Sequence, residues 1–453
     1  MLLNFTCSNF RSLRDEQTLS MLPGSTRNHQ NHIITQGNLD ILCLSVIYGA
    51  NASGKSNIYK AMRFSRDFIL GRPIDKQSYF RLDSESKGKP STFEYEFTLN
   101  GNIYRYGFQL LISEGKIGGE WLWRVSDNES EDDRLIYQKP LDANPCPKAI
   151  SKFKLRTSRY LILTLVDELR HKKDPDVMEI VAVRDWFENN LKIIGTDENM
   201  LDDLDYTEEE CMEIGRLLAD FDVGISAVSF QTVSEKYLGD EKPIYSKNGM
   251  KIGEHVVQKD SSQVSQKGRR KIGPGDKKMV LTNDHGYMEE LFLWYDESDG
   301  TRRLLDLASI LVSSTPDITY IIDELDRSLH PMVVYEMVRR FATSRSSGPP
   351  RQLLFTTHQT CLLDQDLLRR DEIWFVQKER DGHSDLYSLD EYEVRFDKNI
   401  EKMYLAGRFN AIPKIIRGEQ RRTEPEMLQS VAISPRSTIW HSRAGGPSRG
   451  TSL

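Results

Sequence analysis

Cysteine is scarce in this chain. Five appear in 453 residues, at Cys7, Cys43, Cys146, Cys211 and Cys361, and no two form a Cys-x-x-Cys pair. That scatter argues against a zinc site and against a disulfide-stapled fold; it reads as reduced thiols in a cytoplasmic protein. Long apolar runs are missing too. The run at 41–50 is far too short to cross a bilayer, and the N-terminus lacks the basic-then-apolar layout of a secretion signal. Positive charge is not in surplus: the net charge is -7, so the chain as a whole gives no general electrostatic reason to bind nucleic acid. No internal repeat and no sustained heptad pattern appears, which excludes a solenoid and a long coiled-coil arm. What remains, 38% hydrophobic and 28% charged residues, is the balance of a globular protein, and the length predicts two or three packed units.

Residues 1–13 alternate apolar and polar positions through Leu3, Phe5 and Cys7 and then reach Asn9-Phe10-Arg11-Ser12, predicting an opening strand and a turn. The run ILCLSVIY at 41–48 is short and rich in strand formers, as a central parallel strand is. Beyond it Ile58, Met62, Ser65 and Ile69 fall at helical spacing. Strand-like runs at 92–99 and 102–112 are joined by Asn100-Gly101, a strong hairpin signal, and 117–125 completes a small antiparallel meander. From about 150 to 225 the pattern is helical. Thr207-Glu208-Glu209-Glu210 has the form of a capping box before an apolar face of Met212, Ile214, Leu217, Leu218 and Phe221. Residues 239–278 are rich in Lys, Ser, Gln and Gly. They read as a solvated insertion or, through Lys267-Gly268-Arg269-Arg270-Lys271, as a contact for nucleic acid or an acidic partner. Strands and helices alternate again from 288, with strands expected at 318–322, 352–356 and 372–377. The chain thus divides into an N-terminal lobe at 1–150, a helical insertion with the basic segment at 151–285, a C-terminal lobe at 286–417 and a disordered tail at 418–453.

Four short elements carry chemistry. Gly49-Ala50-Asn51-Ala52-Ser53-Gly54-Lys55-Ser56 follows a predicted strand and opens a predicted helix, the context a phosphate-binding loop needs. The glycines let backbone N–H groups wrap the anion, Lys55 reaches the outer phosphates and Ser56 ligates Mg2+. Tyr320-Ile321-Ile322-Asp323-Glu324 is an apolar strand ending in two carboxylates. Asp323 suits Mg2+ and Glu324 suits polarisation of an attacking water, although a charged turn at a strand end is also ordinary. Thr356-Thr357-His358 places a histidine at the tip of the next strand, where it can touch a terminal phosphate or simply face solvent. Glu297-Ser298-Asp299-Gly300-Thr301 opens the apolar helix that follows. By itself it is a helix cap, and ahead of an Asp-Glu strand it can be a second anion site.

In this order the elements resemble the ABC-type ATPase heads, the group that includes the SMC, RecF and OLD proteins. GANASGKSN at 49–57 resembles their P-loop, with Asn51 and Asn57 in place, and IIDELDRSLHP at 321–331 resembles their Walker B and D-loop run. ESDGT at 297–301 sits where the signature motif sits, and His358 matches the switch histidine. LLNFTCSNFRSLRDEQTLSML at 2–22, YRYGF at 104–108, ESDGTRRL at 297–304 and YLAGRFNAIP at 404–413 are similar to a bacterial group of single-head ATPases known as abortive-infection or RloA-like proteins. The resemblance spans most of 1–415 and is weak over 125–290.

It implies an α/β P-loop NTPase fold, an ABC-ATPase-like head carrying an antiparallel β meander and an inserted helical subdomain. It implies ATP and Mg2+, catalysis by Glu324 and His358, and nucleotide contacts from Gly49, Asn51, Ser53, Gly54, Lys55, Ser56 and Asn57. It also implies a head-to-tail homodimer, or a higher oligomer, with ATP held between that loop and Ser298/Gly300 of a second copy, and Asp326 to His330 at the interface. The implied role is an ATP-driven switch that controls a separate nuclease or toxin in anti-phage defence. The alternative is a RecF-like repair ATPase binding duplex DNA directly. Two positions depart from the pattern. Asp299 replaces a signature glycine, and the Q-loop glutamine has only Gln77 and Gln109 as candidates.

Overall fold

The computed structural model describes residues 1–126, 132–139, 160–196, 207–221, 224–232, 244–245, 251–253, 277–284, 289–293, 297–343, 349–392 and 399–412. The basic segment 267–271 and the tail 418–453 lie outside these residues.

Two six-stranded sheets organise the molecule. The central one runs in the order Leu191–Ile194, Ile318–Ile322, Arg351–Thr356, Leu44–Gly49, Ile373–Lys378 and Ser384–Ser388. The first five strands are parallel, and the last pairs antiparallel at the edge. Ile318–Ile322, Arg351–Thr356 and Leu44–Gly49 are buried along their whole length, as the continuous apolar runs predict for strands covered on both faces. Parallel strands end on the same side, so Gly49, Asp323 and His358 reach one edge of the sheet. The strand leading to His358 lies between the other two.

The second sheet is antiparallel, ordered Gln17–Ser20, Leu2–Ser8, Ser91–Leu99, Asn102–Leu111, Lys116–Val125 and Arg134–Lys139. It is larger than the expected three-stranded meander, because the opening strand pairs with Ser91–Leu99. Asn100 and Gly101 both take positive φ, 52° and 76°, the geometry a two-residue hairpin turn needs.

Helix Lys55–Ile69 links the sheets. Its Phe64 and Phe68 rings meet Phe93 and Phe108 of the antiparallel sheet, and the hydroxyls of Ser65 and Tyr95 lie 2.7 Å apart. Helix Pro175–Asn189 covers the same sheet, stacking Trp186 on Phe97 at 4.0 Å. A buried glutamine ties the two sheets directly. Gln352, on the strand leading to His358, donates to Leu2 O and accepts from Leu2 N–H.

Four expectations are refined. The run 41–48 is not one strand. Leu39–Leu42 pairs with Ile33–Gln36 in a small hairpin, and the central strand starts at Leu44. The break is at Cys43, whose N–H donates to His32 O and whose carbonyl accepts from Leu353 N–H. Both segments are apolar, so hydropathy joins them. The insertion has its helices, including Glu208–Asp220 with the full Thr207/Glu210 capping box, but also contributes the edge strand Leu191–Ile194 to the central sheet. Ile225–Thr232 pairs with Lys277–Asp284, and that strand with Glu289–Leu293, so a small sheet bridges the expected boundary at 285/286. On Glu208–Asp220 the buried positions are Cys211, Ile214, Gly215 and Leu218, while Met212 is exposed. Among the described residues no helix is long and apolar enough to cross a membrane.

One carboxylate anchors the insertion to the sheet. Glu120 is fully buried; it accepts from Tyr106 Oη at 2.8 Å and from Ile162 N–H at 2.9 Å. Burial holds its carboxyl above the usual range, opposed by those hydrogen bonds and the positive charge of Lys139. The folded state therefore binds a proton that the unfolded chain releases at about pH 4.5. Stability falls as pH rises from there through the raised value, by at most about 1.4 kcal/mol per pH unit. Glu120→Gln should flatten that part of the profile, read from urea midpoints at successive pH values. An unchanged slope would remove Glu120 as its source.

Candidate functional site

The cleft at the carboxyl edge of the central sheet has a volume of about 690 Å³ and is lined by residues 50–57 of the P-loop and its helix, with Lys60, Glu324, Asp326, Arg327 and His358. Elements more than 260 residues apart in sequence converge there because their strands are neighbours.

The loop is built around two glycines. A Cβ on Gly49 would sit 2.5 Å from Ser53 Oγ and 2.6 Å from the carbonyl of Val376, so any larger residue pushes the strand off its neighbour. Gly54 has φ 112°, and a Cβ there would sit 2.4 Å from Ser384 Oγ. Helix Lys55–Ile69 begins at the next residue, so its unpaired N–H groups and its positive end face the loop. Lys55 is buried, and Nζ donates to Gly49 O at 2.8 Å and Ala50 O at 3.2 Å. Burial pushes its pKa down to about 8, while the charges of Asp323, Glu324 and Asp326 push it back up. Ser56 is half-buried in the first helical turn.

Asp323 is buried at the end of its strand, and Thr356 Oγ1 donates to its Oδ1 at 2.7 Å. The same hydroxyl accepts from Glu324 N–H at 2.8 Å. Glu324 holds φ at 50°, a left-handed conformation that costs a non-glycine residue about 1–2 kcal/mol. Thr356 fixes its N–H, while Arg303 Nη2 and Arg327 N–H both donate to its carbonyl. Three hydrogen bonds thus hold a strained backbone at the cleft edge.

His358 is exposed at the cleft, and its N–H donates to Asp326 Oδ2 at 3.4 Å. Its pKa is lowered, first by partial burial and then by the positive charge of Lys55, against the pull of Asp326, Glu324 and Asp323. The imidazole is therefore neutral at pH 7 and can donate one hydrogen bond and accept another.

Ser298 and Gly300 do not line the cleft of their own chain. Ser298 Oγ caps its helix by accepting from Thr301 N–H at 3.1 Å, and Asp299 pairs with Arg302. A Cβ on Gly300 would meet the carbonyl of Ser328 at 2.8 Å, so this glycine is required by contact with the 324–330 turn of the same chain. The candidate glutamines Gln77 and Gln109 are both absent from the cleft lining. Asn57 lines the cleft, but its amide nitrogen donates to Ser12 Oγ at 2.7 Å.

Sequence reasoning gave no role to Arg303, Thr356 or Lys60, and gave Arg327 only a place in the Asp326 to His330 interface run. Thr356 stands inside a quoted motif, but its two hydrogen bonds reach across a strand pair. Arg303 lies two residues beyond the signature segment and points back at Glu324 O, a contact no spacing rule predicts.

The residues fit a Mg2+-nucleotide. Ser53 Oγ is buried beside the loop without a hydrogen-bond partner, and so is Asp326 Oδ1 at the opposite wall. The two glycines let the loop pack directly against Val376, Ser384 and Ser12 behind it, where side chains would clash.

A family model described as an AAA domain, putative AbiEii toxin, type IV toxin–antitoxin system, matches residues 44–159 and 219–364. Among solved structures the chain is similar to an SMC head bound to the C-winged helix domain of ScpA, at 14% identity over 85% of this chain and 97% of that one, with a TM-score of 0.42. It is also similar to the SMC head domain from Thermotoga maritima, at 12% identity over 85% and 98% of the chains, TM-score 0.39. A third is an SMC head with an extended coiled coil bound to the C-terminal domain of ScpA, from Pyrococcus furiosus, at 13% identity over 90% and 99%, TM-score 0.42. No protein of curated function matches the chain.

Proposed function

The chain belongs to the AAA-domain family described as putative AbiEii toxin, type IV toxin–antitoxin system, and from that membership we propose that it is an ATP-hydrolysing switch acting on a separate effector in anti-phage defence. The observation that carries hydrolysis is the meeting of Lys55 and Ser56 with Glu324 and His358 around one cleft.

The loop N–H groups and Lys55 hold the phosphates, and His358, neutral at pH 7, hydrogen-bonds the terminal one. Glu324 orients a water and takes its proton as the water oxygen bonds to the γ-phosphorus. The bond to the β–γ bridging oxygen breaks, and its electron pair leaves with ADP. Ser56 and Asp323 would hold Mg2+, which would neutralise charge on the phosphate oxygens. Thr356 keeps Asp323 and Glu324 in register through one hydroxyl.

Ser298 and Gly300 open a helix and do not line this chain's own cleft. A second copy presenting that turn would close the site, giving a head-to-tail dimer with ATP between the heads. The family description, with its toxin–antitoxin setting, supports an effector as the downstream target. The effector arm is tested by phage challenge of cells carrying the gene in its native neighbourhood. Wild type should protect, and protection should fall at least about tenfold in plaque count when ATP turnover is blocked. Undiminished protection by a turnover-dead protein would remove hydrolysis as the trigger.

A further inference from the structure

Ser12 and Ser384 lie outside the cleft lining, yet both hydroxyls close on the P-loop. Asn57 Nδ2 donates to Ser12 Oγ at 2.7 Å, Ser12 Oγ and Ser384 Oγ are 2.8 Å apart, and Ser384 Oγ reaches the carbonyl of Ser53 at 2.6 Å. Ser384 is fully buried, and its N–H donates to Ser12 O at 2.7 Å. The edge strand, the N-terminal turn and the first turn of the P-loop helix are thus joined at one point.

Counting protons gives this chain of contacts a direction. The Ser53 carbonyl can only accept, so it takes the single hydroxyl hydrogen of Ser384. The same hydroxyl also lies in donor geometry to Ser12 Oγ, which receives the Asn57 amide as well. In a planar trans peptide the carbonyl and the next N–H point in opposite directions. Holding Ser53 O toward Ser384 turns the Gly54 N–H away from it, and Gly54 is a cleft-lining residue whose N–H meets no protein acceptor among the described residues.

We infer that Asn57, Ser12 and Ser384 form a relay that presets the Gly54 N–H toward the bound phosphate, an assignment that rests on the ATP-binding reading above. The relay answers a problem the loop creates for itself. Gly54 must lack a side chain, since a Cβ would sit 2.4 Å from Ser384 Oγ and 2.7 Å from Ser12 Oγ. A bare glycine is free to flip its peptide, so an unheld loop would lose that freedom only on binding, at a cost in affinity. The relay removes the freedom beforehand. Asn57, expected to touch nucleotide, acts instead as a positioning residue, as do the two serines.

The test uses the full chain with Mg2+ and a fluorescent ATP analogue, together with steady-state phosphate release and thermal melts without nucleotide. Ser12→Ala and Ser384→Ala should each weaken nucleotide binding and raise KM roughly tenfold, with kcat little changed. The double variant should bind no worse than the weaker single one, because both break one relay. Ser12→Thr keeps the hydroxyl and should bind like wild type. Wild-type affinity in both alanine variants overturns the relay. So do losses that add in the double variant, or losses that follow a drop in the melting temperature. Failure of the wild-type chain to bind nucleotide at all would overturn the ATP-binding reading itself, and the relay with it.

Discussion

Glu324→Gln is expected to keep ATP bound and to cut its hydrolysis by about 100- to 1000-fold, the usual cost of losing a positioned general base. Glutamine has the same shape as glutamate and still hydrogen-bonds a water, but it cannot take the proton. The backbone should not move, because Thr356, Arg303 and Arg327 grip the main chain of residue 324 rather than its side chain. The left-handed φ of 50° asks no more of glutamine than of glutamate. Asp323 keeps its hydrogen bond from Thr356, so the carboxylate proposed to hold Mg2+ stays in place. Single-turnover phosphate release measured beside nucleotide affinity separates the two effects. A wild-type rate would strip Glu324 of the proposed role, and lost binding would show that it holds the nucleotide instead. The same variant reports on assembly. If ATP is sandwiched between two heads, blocking turnover traps the dimer, and light scattering should give twice the monomer mass only when ATP is present. A monomer at saturating ATP would sink the head-to-tail arrangement without touching the hydrolysis assignment.

Lys55→Ala should weaken ATP binding by at least about 100-fold, since it removes the charge-assisted contact to the phosphates. It also removes the lysine donor from Gly49 O and Ala50 O, the latter keeping Ser53 N–H, and leaves Asp323, Glu324 and Asp326 facing the phosphates without the buried cation. Lys55→Arg should not rescue. The ammonium is buried at 6% exposure between two carbonyls, and a planar guanidinium does not fit a pocket made for a compact charge. The lowered pKa adds a pH signature. In the free protein Lys55 loses its proton near pH 8, whereas phosphates beside it favour the charged form. Above pH 8 binding must therefore take up a proton, and affinity should fall by up to about tenfold per pH unit. Titrations of wild type at pH 7 and pH 9 check this. Equal affinity at both would mean that Lys55 does not carry the pH dependence of binding.

Much of this site was legible before any coordinates. Gly49 to Ser56, Asp323, Glu324 and His358 stand at strand ends that hydropathy locates well, because parallel strands buried on both faces read as continuous apolar runs. Asn100-Gly101 and Thr207–Glu210 were legible for a related reason: a turn or a cap is fixed by residues within four positions of one another. The break at Cys43 was not legible, since it depends on His32 and Leu353 rather than on local polarity. Nor was the edge strand Leu191–Ile194, which is four residues long and follows a long helix directly.

The sequence by itself determined that a phosphate is held by a strand, a glycine loop and a helix, and that two carboxylates and a histidine stand at other strand ends. Only the tertiary structure decided how these parts work on each other. Strand order put the His358 strand between the P-loop and Asp323–Glu324, so that one Thr356 hydroxyl could serve both acids. Edge pairing brought Ser384 to Ser53, 331 residues away in the chain. Closure of the N-terminal turn on the helix brought Ser12 to Asn57, whose side-chain amide donates to the Ser12 hydroxyl. The physical reason is range. Hydrophobic period, caps and turns are set by neighbours a few residues apart, whereas a single hydrogen bond between distant segments leaves no period in the sequence and exists only once the sheets have closed.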